Sequence, residues 1–142
     1  MHSIKKLLEL YQNKDVSCVE VVADCLKKIH QYDSQTQAFL EVYEDQAMKQ
    51  AQQCDEQRSE REDVGLLGIP IALKDNLCVS GHNTTCASKL LQGFKAPYTA
   101  TAVQQLLNAG VIPLGRVNMD EFAMGSSTEQ SAIQVSSNPW NS

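Results

Sequence analysis

Leu66-Leu67-Gly68-Ile69-Pro70-Ile71-Ala72-Leu73, closed by Lys74, is the stretch that decides the fold. It is a continuous apolar run with Gly65 before it and Asp75-Asn76 after the lysine. A run of that length without polar alternation reads as a strand buried on both faces. Downstream, Thr99 to Ala109 carries Val103, Leu106 and Leu107 on one helical face, with Thr99 or Thr101 as N-cap and Gly110 as a left-handed stop. Val111-Ile112-Pro113-Leu114-Gly115 follows at once and predicts a second buried strand reaching Val117. Strand, helix, strand predicts a parallel pair joined by a right-handed crossover, and therefore an α/β fold. Pro113 has no N–H to give a ladder, so pairing around it is expected to be incomplete.

Upstream the pattern is helical. Ile4, Leu7, Leu8 and Tyr11 predict a helix over about 3–12. Ser17-Cys18-Val19-Glu20 is a capping box, in which the serine accepts from the backbone three residues on and the glutamate reaches back. Val19, Val22, Leu26 and Ile29 carry that second helix to about 29–32, Phe39–Tyr43 predicts a short strand, and 44–62 a third, polar helix. Charge divides the chain in the same way. Residues 1–63 hold 13 acidic and 8 basic residues, whereas residues 64–142 hold four of each. The expected organisation is a charged helical layer with one short strand over 1–63 and the first part of an α/β core over 64–142, together one domain. So few charges in the second segment suggest the inside of something larger, and an N-terminal fragment is expected. Its strands should then be under-covered, with several of Leu67, Ile69, Ile71, Val111, Ile112 and Leu114 exposed.

The 142 residues are 42% hydrophobic, which excludes disordered and low-complexity classes, and the net charge of −5 argues against a surface that neutralises many phosphates. No apolar run is long enough to span a bilayer, and Glu9 interrupts the only stretch resembling a signal peptide. Five cysteines without a dense framework suggest free thiols in the cytoplasm.

Lys74 is the foremost chemical candidate. It ends a buried strand, where ligands gather in open α/β sheets. A lysine drawn into such a place loses hydration, which lowers its pKa and suits it to act as a base. Alternation sends Asp75 to the other side, where it is expected to cap a turn. The segment Asn118-Met119-Asp120-Glu121-Phe122-Ala123-Met124-Gly125-Ser126-Ser127-Thr128-Glu129 begins right after the second strand and ends in donors, with Gly125 permitting close backbone approach. Asp120 and Glu121 are adjacent and point apart, a poor acid–base pair. Cys78, His82 and Cys86 are evenly spaced but lack a fourth zinc ligand, and no Gly-rich phosphate loop is present. The acidic run 44–62 reads as a solvated face, or as a docking face in a non-catalytic interaction module.

Gly68-Ile69-Pro70-Ile71-Ala72-Leu73-Lys74-Asp75-Asn76, Thr84-Thr85-Cys86-Ala87-Ser88, Asn118 through Glu129 and Asn138-Pro139-Trp140 together resemble the amidase signature family. The Asn-Met-Asp-Glu-Phe-Ala-Met-Gly piece is characteristic of one branch, the A subunits of glutamyl-tRNA(Gln) amidotransferases. The resemblance implies the first part of a mixed central sheet covered by helices. It also implies a Ser–cis-Ser–Lys triad in which Lys74 is the lysine, acting through a bridging serine on a nucleophilic serine. Met124, Gly125, Ser126 and Ser127 would line the glutamine pocket. Both serines follow Asn-Pro-Trp in the family, and Ser142 is not one of them, so these 142 residues alone are expected to be inactive.

The activity implied is glutamine hydrolysis, supplying ammonia for transamidation of misacylated Glu-tRNA(Gln) to Gln-tRNA(Gln). Partners would be the B and C subunits. ATP and magnesium would be used by one of those partners, with no cofactor bound here. tRNA would be reached through the complex, and no membrane is involved. The rival within the family is a stand-alone amidase on small amides.

Overall fold

The computed structural model describes residues 3–60 and 65–140. The expected end of the third helix at 61–62, the charges Arg61, Glu62 and Asp63, and Ser142 lie outside the described residues. Among the described residues four α-helices and three strands follow in the order α1 (Ile4–Gln12), α2 (Cys18–Thr36), β1 (Phe39–Val42), α3 (Glu44–Glu60), β2 (Pro70–Lys74), α4 (Thr101–Asn108) and β3 (Ile112–Val117), with short 3-10 turns at Lys89–Leu91 and Glu121–Ala123. The sheet order is β1-β3-β2. β2 runs parallel to β3, as the strand–helix–strand pattern predicts, and β1 is antiparallel to β3. The charged segment and the apolar one thus share a single sheet.

β3 is the central strand, and its proline is accommodated by an irregularity. Pro113 faces Ile71 while Gly115 faces Ala72, so Leu114 is an extra residue on β3. The strand expected from residue 66 begins at Pro70. Gly68, at φ +87°, donates to the Gly110 carbonyl at 2.9 Å, and Ile69 donates to Leu66 at 3.0 Å, which makes residues 65–68 a turn. Tyr11 and Arg58 hold that turn. Tyr11 Oη donates to the Gly68 carbonyl at 2.9 Å, Arg58 donates to the Leu67 carbonyl at 2.8 Å, and the guanidinium lies 4.6 Å from the Tyr11 ring centre.

The capping box at Ser17 is present in both directions, and Asp55 on α3 adds bonds to the backbone N–H of Cys18 (2.7 Å) and Val19 (3.1 Å). The orphan donors of the α2 N-terminus therefore hold two carboxylates near its positive end. At the other end α2 runs to Thr36, several residues beyond the expected stop. Asp33 there receives the departing chain through the backbone N–H of Ala38 and Phe39. The N-cap expected for α4 is absent. Its cap position is Ala100 with no side-chain bond, and Thr99 instead accepts from the backbone of Ser80. Gly110 is the left-handed stop, at φ +88°.

The core is one cluster in which Leu7, Tyr11, Val22 and Leu26 of α1 and α2, and Ala47, Ala51 and Cys54 of α3, pack on Leu67, Ile69, Ile112 and Leu114. The small residues on α3 recur at helical spacing and let that otherwise polar helix lie close. This packing corrects the expected exposure of the strands. Leu67, Ile69, Val111, Ile112 and Leu114 are all buried, and Ile71 alone of the six is half-buried, because α1–α3 already cover them. The apolar surface left open lies elsewhere. A groove of about 610 Å³ lies between α1, α2 and the sheet, lined by Ile4, Val21, Cys25, Ile29, Phe39 and Ile71 among others. Leu90, Met124 and Trp140 stand exposed on the connections.

Candidate active site

Lys74 and Asp75 leave β2 on opposite sides, as an extended chain requires. Lys74 is exposed rather than drawn into an apolar pocket as expected, and its amine makes no hydrogen bond or ion pair among the described residues. Asp75 is almost wholly buried. Its carboxylate takes the Arg116 guanidinium, the Thr85 hydroxyl, and the backbone N–H of Thr85 (3.2 Å) and Ala87 (3.0 Å). Arg116 also donates from Nε to Glu41 on β1 at 2.9 Å. The expected turn cap is thus also the hub of a buried ion network that crosses all three strands and fixes residues 85–87.

Asp120, three residues past β3, does the same for a second loop. Its side chain accepts from the backbone N–H of Ser127 (3.0 Å), Thr128 (3.0 Å) and Gln130 (2.8 Å). Those bonds hold its pKa below the usual carboxylate range. Burial opposes the shift, and the positive charge of Lys74 adds to it. Lys74 and the Asp120 loop are therefore electrostatic neighbours at one end of the parallel pair. Gly125 lies directly on this carboxylate, and a Cβ there would come within 2.5 Å of the Asp120 Cγ. Met124, Gly125, Ser126 and Ser127 are all exposed, and the Ser127 hydroxyl donates to Glu129 at 2.9 Å.

The two loops are stitched together. Phe122 donates its backbone N–H to the Cys86 carbonyl at 3.0 Å, and Ala132 to the Ala87 carbonyl at 2.9 Å. Cys86, Ala87, Phe122, Ala123 and Thr128 all have positive φ. Left-handed backbone at residues bearing a Cβ is unfavourable and persists where surrounding bonds impose it. Asn118 completes the frame. It is buried, donates to the Gln134 carbonyl at 2.7 Å and accepts from the Ser131 hydroxyl at 2.7 Å, tying residues 131–136 to the end of β3.

The linking role of Arg116 and the anchoring role of Asp120 have no local signal in the sequence. Arg116 meets Asp75 across 41 residues of chain, and the spacing of Asp120 shows it only as half of a poor carboxylate pair. The even spacing of Cys78, His82 and Cys86 has no counterpart in space. His82 packs on the Tyr43 ring at 4.5 Å, and among the described residues no three His, Cys, Asp or Glu side chains converge to hold a metal ion. Burial, with the Asp75 carboxylate beside it, pushes the Cys86 thiol up, so it is a poor nucleophile. Of the acidic helix, Asp55 and Arg58 are engaged inward.

The frame thus places an exposed lysine, with no ion-pair partner among the described residues, at the carboxyl end of the parallel pair beside two braced loops. Residues 20–142 match the family described as Amidase, and the chain belongs to that family. It is 48% identical over 142 residues to the A subunit of the Cyanothece sp. glutamyl-tRNA(Gln) amidotransferase, covering 99% of this chain and 30% of that protein. Among solved structures it resembles the A subunit of the Thermotoga maritima glutamyl-tRNA(Gln) amidotransferase, at 34% identity and TM-score 0.73, with 99% of this chain and 28% of that one covered. It also resembles a protein from a complex bearing on the origins of an s-triazine catabolic enzyme, at 30% identity and TM-score 0.92, with 99% and 31% covered. The chain therefore spans about 30% of the length of the relatives it matches. No helix among the described residues is long and apolar enough to cross a membrane.

Proposed function

We propose that this chain carries the lysine of an amidase whose substrate is the side-chain amide of glutamine, and that the whole protein supplies ammonia for converting Glu-tRNA(Gln) to Gln-tRNA(Gln). One observation carries the reading. Among the described residues the Lys74 amine has no hydrogen-bond or ion-pair partner where β2 ends, next to a loop of exposed small and hydroxyl residues braced by Asp120. The likeness to amidotransferase A subunits over 99% of the chain supports the choice of glutamine.

In this reading Lys74 Nζ takes a proton through a bridging serine from a nucleophilic serine, both contributed from outside these 142 residues. The serine attacks the amide carbon, ammonia leaves, and water releases glutamate from the acyl-enzyme. Met124, Gly125, Ser126 and Ser127 contact the glutamine. B and C subunits receive the ammonia, one of them uses ATP and magnesium, and the complex works in the cytoplasm.

Ammonia release from glutamine by the full-length protein tests this. Lys74→Ala should lower kcat by about 10²–10⁴-fold, the usual worth of a general base. Lys74→Arg should not restore it, because a guanidinium keeps its proton. Substantial turnover by the arginine variant would make Lys74 a fixed charge and sink the proton-transfer role. Activity on small amides with no need of partner subunits would favour a stand-alone amidase instead.

A further inference from the structure

We propose that Asp120 is a positioning residue, setting the shape of the Met124–Thr128 loop and through it the affinity of the site for its amide substrate. The proposal rests on the functional reading above. Three backbone donors, on Ser127, Thr128 and Gln130, converge on two carboxylate oxygens at 2.8–3.0 Å. Only an ionised carboxylate offers acceptors alone, since an amide in its place turns an N–H₂ toward at least one backbone N–H. Gly125 packs against the same group, with no room for a Cβ. The loop is therefore gripped on its inner side by Asp120, while Met124 to Ser127 face outward.

The loop would not hold this shape unaided. Phe122, Ala123 and Thr128 all sit in left-handed backbone. Among the described residues, the only side-chain bond made by the hydroxyls of Ser126 and Ser127 is that from Ser127 to Glu129. Releasing the three amides frees those residues to relax, which would blur the donors meant for a substrate before any chemistry begins. Binding energy that depends on a preorganised loop is lost as affinity, whereas loss of the proton acceptor is lost as rate. Asp120 and Lys74 therefore predict different kinetic signatures, although they are neighbours. The Asp75 loop is an internal reference, since Thr85 and Ala87 are held by a different carboxylate.

The test uses the full-length protein, with its partner subunits where glutamine turnover needs them, and the variants Asp120→Asn and Asp120→Ala. The second variant removes the acceptor without putting an N–H₂ in its place. Each should raise the KM for glutamine about tenfold or more, with kcat changed by less than about threefold. Hydrogen exchange at the amides of Ser127, Thr128 and Gln130 should quicken about tenfold or more, with Thr85 and Ala87 unchanged. Unchanged exchange at the three amides would show that Asp120 does not hold the loop. Faster exchange with an unaltered KM would show a staple with no bearing on substrate. A fall in kcat at constant KM would place Asp120 in the chemistry. Each of these overturns the proposal. A wild-type protein that releases no ammonia from glutamine would sink the functional reading itself. That result is distinct from an active enzyme whose KM is indifferent to Asp120.

Discussion

Asp75→Ala should be among the most damaging single substitutions in this chain. Asp75 is 1% exposed and Arg116 8%, so the pair is broken inside the fold. Truncation strands one arm of the guanidinium, leaves the Thr85 backbone N–H without its acceptor and Ala87 with only the Thr85 hydroxyl at 3.2 Å, while Glu41 keeps the Arg116 Nε at 2.9 Å. Breaking a buried ion pair by removing one partner typically destabilises by ~3–5 kcal/mol. Total stabilities of folded domains are only ~5–15 kcal/mol. At roughly 3–4 °C per kcal/mol for a chain of this size, Tm should fall by about 10–20 °C. Urea unfolding should be followed by far-UV circular dichroism, because the single tryptophan, Trp140, is 94% exposed and reports little. Adding Arg116→Met removes the stranded charge, and the double variant should recover about half of the loss or more. A loss under ~1 kcal/mol for Asp75→Ala, or strictly additive single and double losses, would show that the pair does not act as a unit.

Ser17→Ala removes one half of the capping box, and should lower stability by ~1 kcal/mol in the same urea titration, with the m-value unchanged. Asp120 gives an acid limb. Its pKa is lowered by folding, so its contribution is fully present above the unfolded value of about 4 and is lost as pH falls through the lower folded value. Asp120→Asn should therefore flatten the decline of stability below about pH 4 and leave the slope above pH 5 alone. An acid limb of unaltered steepness would refute that.

Periodicity alone places the helices and the parallel pair, because those signals are local. The apolar stripe of α2 and its capping box are contained within one helix, and the β2–α4–β3 unit needs only the alternation of buried strand and amphipathic helix. What escapes such a reading is whatever depends on distant partners. The turn at residues 65–68 is hidden inside an apolar run, since hydrophobicity does not register that Gly68 adopts a left-handed backbone and bonds to Gly110. The cover over the strands escapes for a similar reason. Ala47, Ala51 and Cys54 are a weak apolar stripe in a polar helix, yet their small size is what lets α3 bury Ile112 and Leu114. At the candidate site, the position of Lys74 at a strand end is legible. Its solvent exposure is not, nor are the bonds that make Asp75 and Asp120 into anchors.

Those bonds also bear on why the lysine stands free. Two carboxylates lie close to Lys74, one adjacent in sequence and one near enough for the lysine's charge to act on it. A free carboxylate in either place would be a natural salt-bridge partner for an ammonium group, and a lysine so paired resists giving up its proton. Asp75 is turned to the opposite side of β2, and its oxygens are taken by Arg116, Thr85 and Ala87. The lone pairs of Asp120 face three backbone donors. Each acid is thus hydrogen-bonded within the frame it builds, and among the described residues neither forms a salt bridge with the Lys74 amine.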